Sequence, residues 1–123
     1  MYRDLFKKLN LLAVCSKNKI RSLTLEKIYA NDQRIDVRSV GTSPKARRKI
    51  SSSDIAWADL ILCMEDKHKE IIAKQFGRND LPEIQVLDIP DRFVFMEPEL
   101  ITLIEDGVEE VIKNSTIGIN EKT

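Results

Sequence analysis

Four short apolar runs, separated by stretches of helical periodicity, constrain what this 123-residue chain can fold into more than any other feature. They cover residues 9–14, 35–40, 60–64 and 84–87. The first, Leu9-Asn10-Leu11-Leu12-Ala13-Val14, is too short for a stable helix. Its almost unbroken apolar character suits a strand covered on both faces. Ile35-Asp36-Val37-Arg38-Ser39-Val40 alternates, which predicts a more exposed strand. Between the runs lie helical patterns. From Arg21, Leu23, Ile28 and Tyr29 share a face with Leu25 nearby, while Glu26 and Lys27 point away. Ser51-Ser52-Ser53-Asp54 reads as a helix start ahead of Ile55-Ala56-Trp57. Residues 65–76 form a charged helix with Ile71, Ile72 and Phe76 inward, closed by Gly77, and His68 falls among charges on its exposed face. Residues 99–113 place Leu100, Leu103, Ile104, Val108 and Val111 at helical spacing.

Strands alternating with helices predict an α/β fold. The expected form is a three-layer sandwich, a four-stranded parallel sheet with helices on both faces. The length suits one domain over residues 1–113, followed by a polar, frayed and disordered tail over residues 114–123. Sheets of this kind bind ligands beyond the carboxyl ends of their strands. Cys15 stands at one such end, and a loop over residues 88–98 follows another.

Composition narrows the functional classes. No apolar run approaches the roughly 20 residues of a membrane span, and the basic N-terminus running into residues 9–15 reads as a buried strand, not a leader. A cytoplasmic location, with reduced thiols and no membrane partner, is expected. Two cysteines and one histidine make no zinc pattern. Net charge is zero but polarised. Residues 1–50 carry 13 Lys and Arg against 4 Asp and Glu, and the remainder carries 7 against 16. The first half could therefore build an anion site, or the halves could cancel on folding.

The segment Cys15-Ser16-Lys17-Asn18-Lys19-Ile20-Arg21-Ser22 joins a strand to a helix. A loop of this length can curl so that its N–H groups converge on an anion, with the helix N-terminus adding positive potential. Arg21, on the first helical turn, can fork onto two phosphate oxygens. The same field favours the thiolate of Cys15, the nucleophilic form. Ser22 can donate a hydrogen bond to the sulfur. The competing reading is a strand-end cysteine beside an unrelated arginine.

In four ordered motifs the chain resembles the low-molecular-weight protein tyrosine phosphatases. Val14-Cys15-Ser16-Lys17-Asn18-Lys19-Ile20-Arg21-Ser22-Leu23-Thr24-Leu25-Glu26 resembles their opening Cys-x-x-Asn-x-x-Arg-Ser and helix. Ser39-Val40-Gly41-Thr42 resembles Ser-Ala-Gly-Thr. Asp59-Leu60-Ile61-Leu62-Cys63-Met64-Glu65 resembles Asp-x-Ile-Leu-x-Met-Asp, and Pro90-Asp91-Arg92-Phe93 a late Asp-Pro-Tyr. The resemblance covers residues 9–112 and implies the following roles. Cys15 attacks phosphorus and becomes a cysteinyl-phosphate. Arg21 and the amides of the phosphate-binding loop, residues Ser16, Lys17, Asn18, Lys19, Ile20, Arg21 and Ser22, hold the oxygens. Asn18, partnered by Ser39, keeps the loop in shape, and Asp91 is the general acid and then the base. No metal or organic cofactor is implied. The implied partner is a phosphorylated protein or a small phosphomonoester, the implied state a monomer, and nucleic acid is not expected.

Departures from the pattern are concentrated in the loop. Lys17 stands where the family has glycine, which costs roughly 1 kcal/mol if the position needs positive φ. Ile20 replaces a second loop cysteine, Leu23 a proline, and Arg92-Phe93 the Pro-Tyr beside the acid. The segment after Thr42 is short, with the supporting histidine replaced near Lys45. Three other functions remain open: a catalytically weak phosphate- or phosphoprotein-binding module, an arsenate reductase using Cys63, and a sugar-transport phosphocarrier. Cys63 otherwise reads as core. The basic residues 45–49 read either as a solvated loop or as a contact for an anionic partner.

Overall fold

The computed structural model describes residues 8–121. Eight elements follow in order: β1 (Leu9–Cys15), α1 (Arg21–Ile28), β2 (Ile35–Gly41), α2 (Ser52–Trp57), β3 (Leu60–Cys63), α3 (Asp66–Phe76), β4 (Glu83–Val86) and α4 (Pro98–Glu121). The strands form one parallel sheet in the order β2-β1-β3-β4. The three-layer α/β sandwich expected from the sequence is the observed fold.

β1 is apolar almost throughout because both of its faces are covered. Leu11, Ala13 and Cys15 face a core completed by Leu25 and Tyr29 near α1 and by Leu100, Ile104, Val108 and Val111 of α4. Leu12 and Val14 face the opposite core, with Val40, Ile61, Cys63 and, from α3, Ile72. Each fully buried leucine contributes roughly 1.5–3 kcal/mol. The chain leaves β1 toward β2 and later returns past β1 to β3, so the switch point lies between β1 and β3. The carboxyl ends of these two strands converge there.

Several local expectations change. Ile71 is an exposed side chain and Ile72 alone of that pair is buried, because α3 presents the His68–Ile72 face to the sheet. His68, expected among solvated charges, is fully buried. Glu26 does not point away from the protein: its carboxylate accepts hydrogen bonds from the Ser39 N–H and hydroxyl. The last helix runs to Glu121, past the Lys113 boundary read from the apolar spacing.

Candidate active site

Residues 16–20 curl away from β1 and enter α1 at Arg21. The loop is held from outside through its carbonyls. Thr42 N–H donates to Cys15 O (3.0 Å), Ser43 N–H to Ser16 O (2.9 Å) and Arg47 N–H to Lys17 O (2.9 Å). Arg47 Nε–H donates to Asn18 O at 3.1 Å. With the carbonyls engaged outward, the N–H groups are free to turn inward. No acceptor for those of Lys17, Lys19 and Ile20 is found among the described residues. N–H groups without an acceptor in a loop of this kind are what an anion nest requires.

Lys17 costs nothing in backbone strain. The loop residue with positive φ is Asn18, at 58°, a conformation asparagine tolerates better than most residues. The expected partnership of Asn18 with Ser39 is not formed, because Ser39 is bound to Glu26. Asn18 Nδ2 donates instead to Ser22 Oγ at 2.8 Å. Support expected near Lys45 comes two residues later, from Arg47.

Gly41 explains why this loop sits flush against β2. A Cβ there would lie 2.5 Å from Ser16 O and 2.6 Å from Ala46 Cβ. The first contact is backbone and cannot yield cheaply. We expect Gly41→Ala to destabilise the fold by roughly 1–3 kcal/mol and to weaken oxyanion binding. A urea melt and a vanadate titration would both have to match wild type for this account of Gly41 to fail.

The sulfur of Cys15 lies at the floor of a cavity of about 180 Å³, lined by Cys15, Ser16, Lys17, Lys19, Ile20, Arg21 and Asp91. Ser22 Oγ is 3.0 Å from the sulfur, and the Asn18 N–H donates to it at 3.2 Å. Ser22 Oγ also reaches Val40 O at 3.3 Å. Asn18 thus donates to the sulfur through its backbone N–H and to Ser22 Oγ through its side chain, and the Ser22 hydroxyl, with one proton, lies between the sulfur and Val40 O. Arg21 is 2% exposed despite its charge. Its Nη1 donates to Glu65 Oε1 (2.6 Å) and Ile89 O (2.8 Å), which fixes the guanidinium plane. That hydrogen bond is the main cause holding the Glu65 carboxyl below the usual carboxylate range. Nη2 lies 3.8 Å from Asp91 Oδ2.

Asp91 faces the cavity and is more than half exposed. Asp88 borders a different surface groove with Glu65, Asp66, Lys67 and Pro90. Phe93 does not line the cavity. It is buried in the core, with the Arg92 guanidinium over its ring at 4.3 Å. Cys63 is buried on the other face of the sheet, where the lack of solvent pushes its thiol up to about 12.

His68 is the site residue that sequence reasoning missed. The Glu65 N–H donates to its Nδ1 at 3.1 Å, which assigns the ring proton to Nε2, 3.0 Å from Ser16 Oγ. One imidazole therefore ties the Arg21-binding turn to the phosphate-binding loop. Burial, aided by the nearby Arg21 charge, lowers its pKa to about 4. A second proton would also take the lone pair that accepts from Glu65. The stability held by neutral His68 is complete above about pH 6.5 and is lost as pH falls toward 4. The loss is on the order of 3 kcal/mol. The opposing charges around it are Arg21 and Lys67 on one side and Glu65 and Asp91 on the other. Thermal melts from pH 7 to 4.5 should show this slope, and His68→Gln should flatten it. A variant that melts with the wild-type slope would assign the acid loss elsewhere.

Solved structures with the same fold are numerous. YwlE arginine phosphatase from Geobacillus stearothermophilus superposes with a TM-score of 0.65 at 21% identity, over 89% of this chain and 96% of that one. The tyrosine phosphatase Wzb from Escherichia coli K30 gives 0.69 at 18%, over 88% and 99%. A low-molecular-weight protein tyrosine phosphatase from T. tengcongensis gives 0.57 at 19%, over 84% and 99%. The chain has the low-molecular-weight protein tyrosine phosphatase fold. No family model matches its sequence, and no curated protein does. The likeness is one of architecture, shared by proteins whose names include both an arginine and a tyrosine phosphatase.

Proposed function

We propose that this protein is a cysteine-dependent phosphomonoester hydrolase of the tyrosine-phosphatase type. The observation that carries the reading is the cavity itself. A strand-end sulfur, held by the Asn18 N–H and in contact with Ser22 Oγ, shares one small space with a buried, fixed guanidinium and an accessible carboxyl group. Each group has a task that the others cannot perform.

In the first step the Cys15 thiolate attacks phosphorus. The sulfur–phosphorus bond forms as the bond to the leaving oxygen breaks, and Asp91 supplies that oxygen with a proton. The loop N–H groups and Arg21 stabilise the equatorial oxygens as their charge redistributes. In the second step Asp91 takes a proton from water, water attacks phosphorus, and the thiolate departs toward Ser22 and the Asn18 N–H. Inorganic phosphate leaves and the starting protonation state returns.

The arsenate reductase alternative is disfavoured by position. Cys63 pairs in register with Val14, and its side chain enters the core opposite the one that contains Cys15. A disulfide between them would need to pass through the sheet. The decisive experiment is turnover of a nitrophenyl phosphate followed by rapid quenching in alkaline denaturant, which preserves a sulfur–phosphorus bond, and peptide mapping at alkaline pH. Phosphate trapped on Cys15 is the expected result; turnover with phosphate on another residue, or with none trapped on any, would refute the mechanism.

A further inference from the structure

A cavity of about 180 Å³ holds a phosphoryl group and little more, since pockets for drug-sized ligands start near 300 Å³. Whatever carries the phosphate lies mostly on the surface outside, and discrimination has to come from the rim. Apart from Asp91, the charged groups of that rim are cationic. Lys17 and Lys19 line the cavity, and both are exposed. The hydrogen bonds from Ser43 and Arg47 to the loop carbonyls lay residues 43–47 directly against it, so exposed Lys45 and Arg47 continue the same edge outward. Among the described residues none of these four cations has an ion-pair partner. Arg48, from the same cluster, is different. It pairs with buried Asp54 at 2.6 Å and serves the fold. Within the sequence cluster over residues 45–49, Arg48 is therefore ion-paired, while Lys45 and Arg47 have no ion-pair partner among the described residues, although Arg47 also holds the Asn18 carbonyl.

We infer that Lys17, Lys19, Lys45 and Arg47 form a subsite for acidic residues flanking the phosphorylated side chain, so that the preferred substrate is an acidic phosphopeptide. This rests on the phosphatase reading above. The charge is complementary to acidic side chains and sits where a chain crossing the cavity mouth would pass. A polynucleotide is the poorer fit: the cavity lining holds no aromatic side chain on which a base could stack. The cations also raise the local concentration of any acidic substrate, an effect that salt removes within a Debye length.

The test compares three phosphotyrosine peptides identical except for flanking residues that are acidic, neutral or basic. At about 0.02 M salt, kcat/KM for the acidic peptide should exceed that for the neutral one by roughly tenfold, as two or three exposed charge pairs supply. The basic peptide should fall below both. The preference should collapse at about 0.5 M salt and shrink in Lys17→Ala/Lys45→Ala. Equal kcat/KM for all three peptides would overturn the inference while leaving the phosphatase reading intact. So would a preference unchanged in the double variant, or a 5′-phosphorylated oligonucleotide turned over faster than the acidic peptide. If nothing is hydrolysed, the phosphatase reading fails first. Anisotropy titration of the same labelled peptides with Cys15→Ser then decides the subsite: tighter binding of the acidic peptide upholds it, and equal binding rejects it.

Discussion

Cys15→Ser abolishes turnover and leaves oxyanion binding in place. This is the largest effect expected of any single substitution. The hydroxyl is a far weaker nucleophile at neutral pH, and no general base stands beside it to activate it. Its nearest neighbours are the Asn18 N–H, a donor, and Ser22 Oγ, which is not a base. The anion cradle does not depend on sulfur. Its N–H groups are oriented by carbonyl contacts to Thr42, Ser43 and Arg47, and Arg21 is held by Glu65 and Ile89. Phosphate binding, measured by calorimetry, should therefore survive with turnover at background. A variant retaining wild-type turnover would remove Cys15 from the mechanism.

The second large effect belongs to Asp91 and depends on the substrate. A general acid is worth roughly 10²- to 10⁴-fold when the leaving group needs a proton, and little when it does not. Asp91→Asn should slow tyrosyl and alkyl phosphates by such a factor and spare an activated nitrophenyl or fluorinated-coumarin ester. Asp88 is the control. It borders a separate groove, so Asp88→Asn should show no dependence on leaving group. If Asp88→Asn shows the selectivity and Asp91→Asn does not, the acid has been assigned to the wrong residue.

The fold was legible because β1 is buried on both faces. An unbroken apolar run ending at a polar, cysteine-bearing loop has few other structural solutions. The cavity residues Cys15, Arg21 and Asp91 could be read because they sit at a strand end, at the start of the helix that follows it, and in the loop after another strand. His68 could not be read from its neighbours, since Asp66, Lys67, Lys69 and Glu70 surround it in sequence. Its burial follows from α3 geometry, four residues before buried Ile72, and its capping position three residues after Glu65 was the available signal. Ser39 was misassigned for a related reason. Its competitor for hydrogen bonding, Glu26, lies on a neighbouring element, and no local pattern reveals that pairing.

The cradle is gripped by residues far apart in the chain: Thr42, Ser43 and Arg47 from outside, and Glu65 and Ile89 around its arginine. A peptide covering only residues 9–28 would lack every one of these clamps, so the convergent N–H geometry belongs to the folded domain and not to the motif. Anion occupancy and folding are then linked equilibria. An oxyanion present at a hundred times its dissociation constant stabilises the native state by about 2.7 kcal/mol, and it does so for the entire sheet at once. On the proposed reading, part of the thermal resistance in a phosphate-containing medium comes from the ligand and is lost on dialysis.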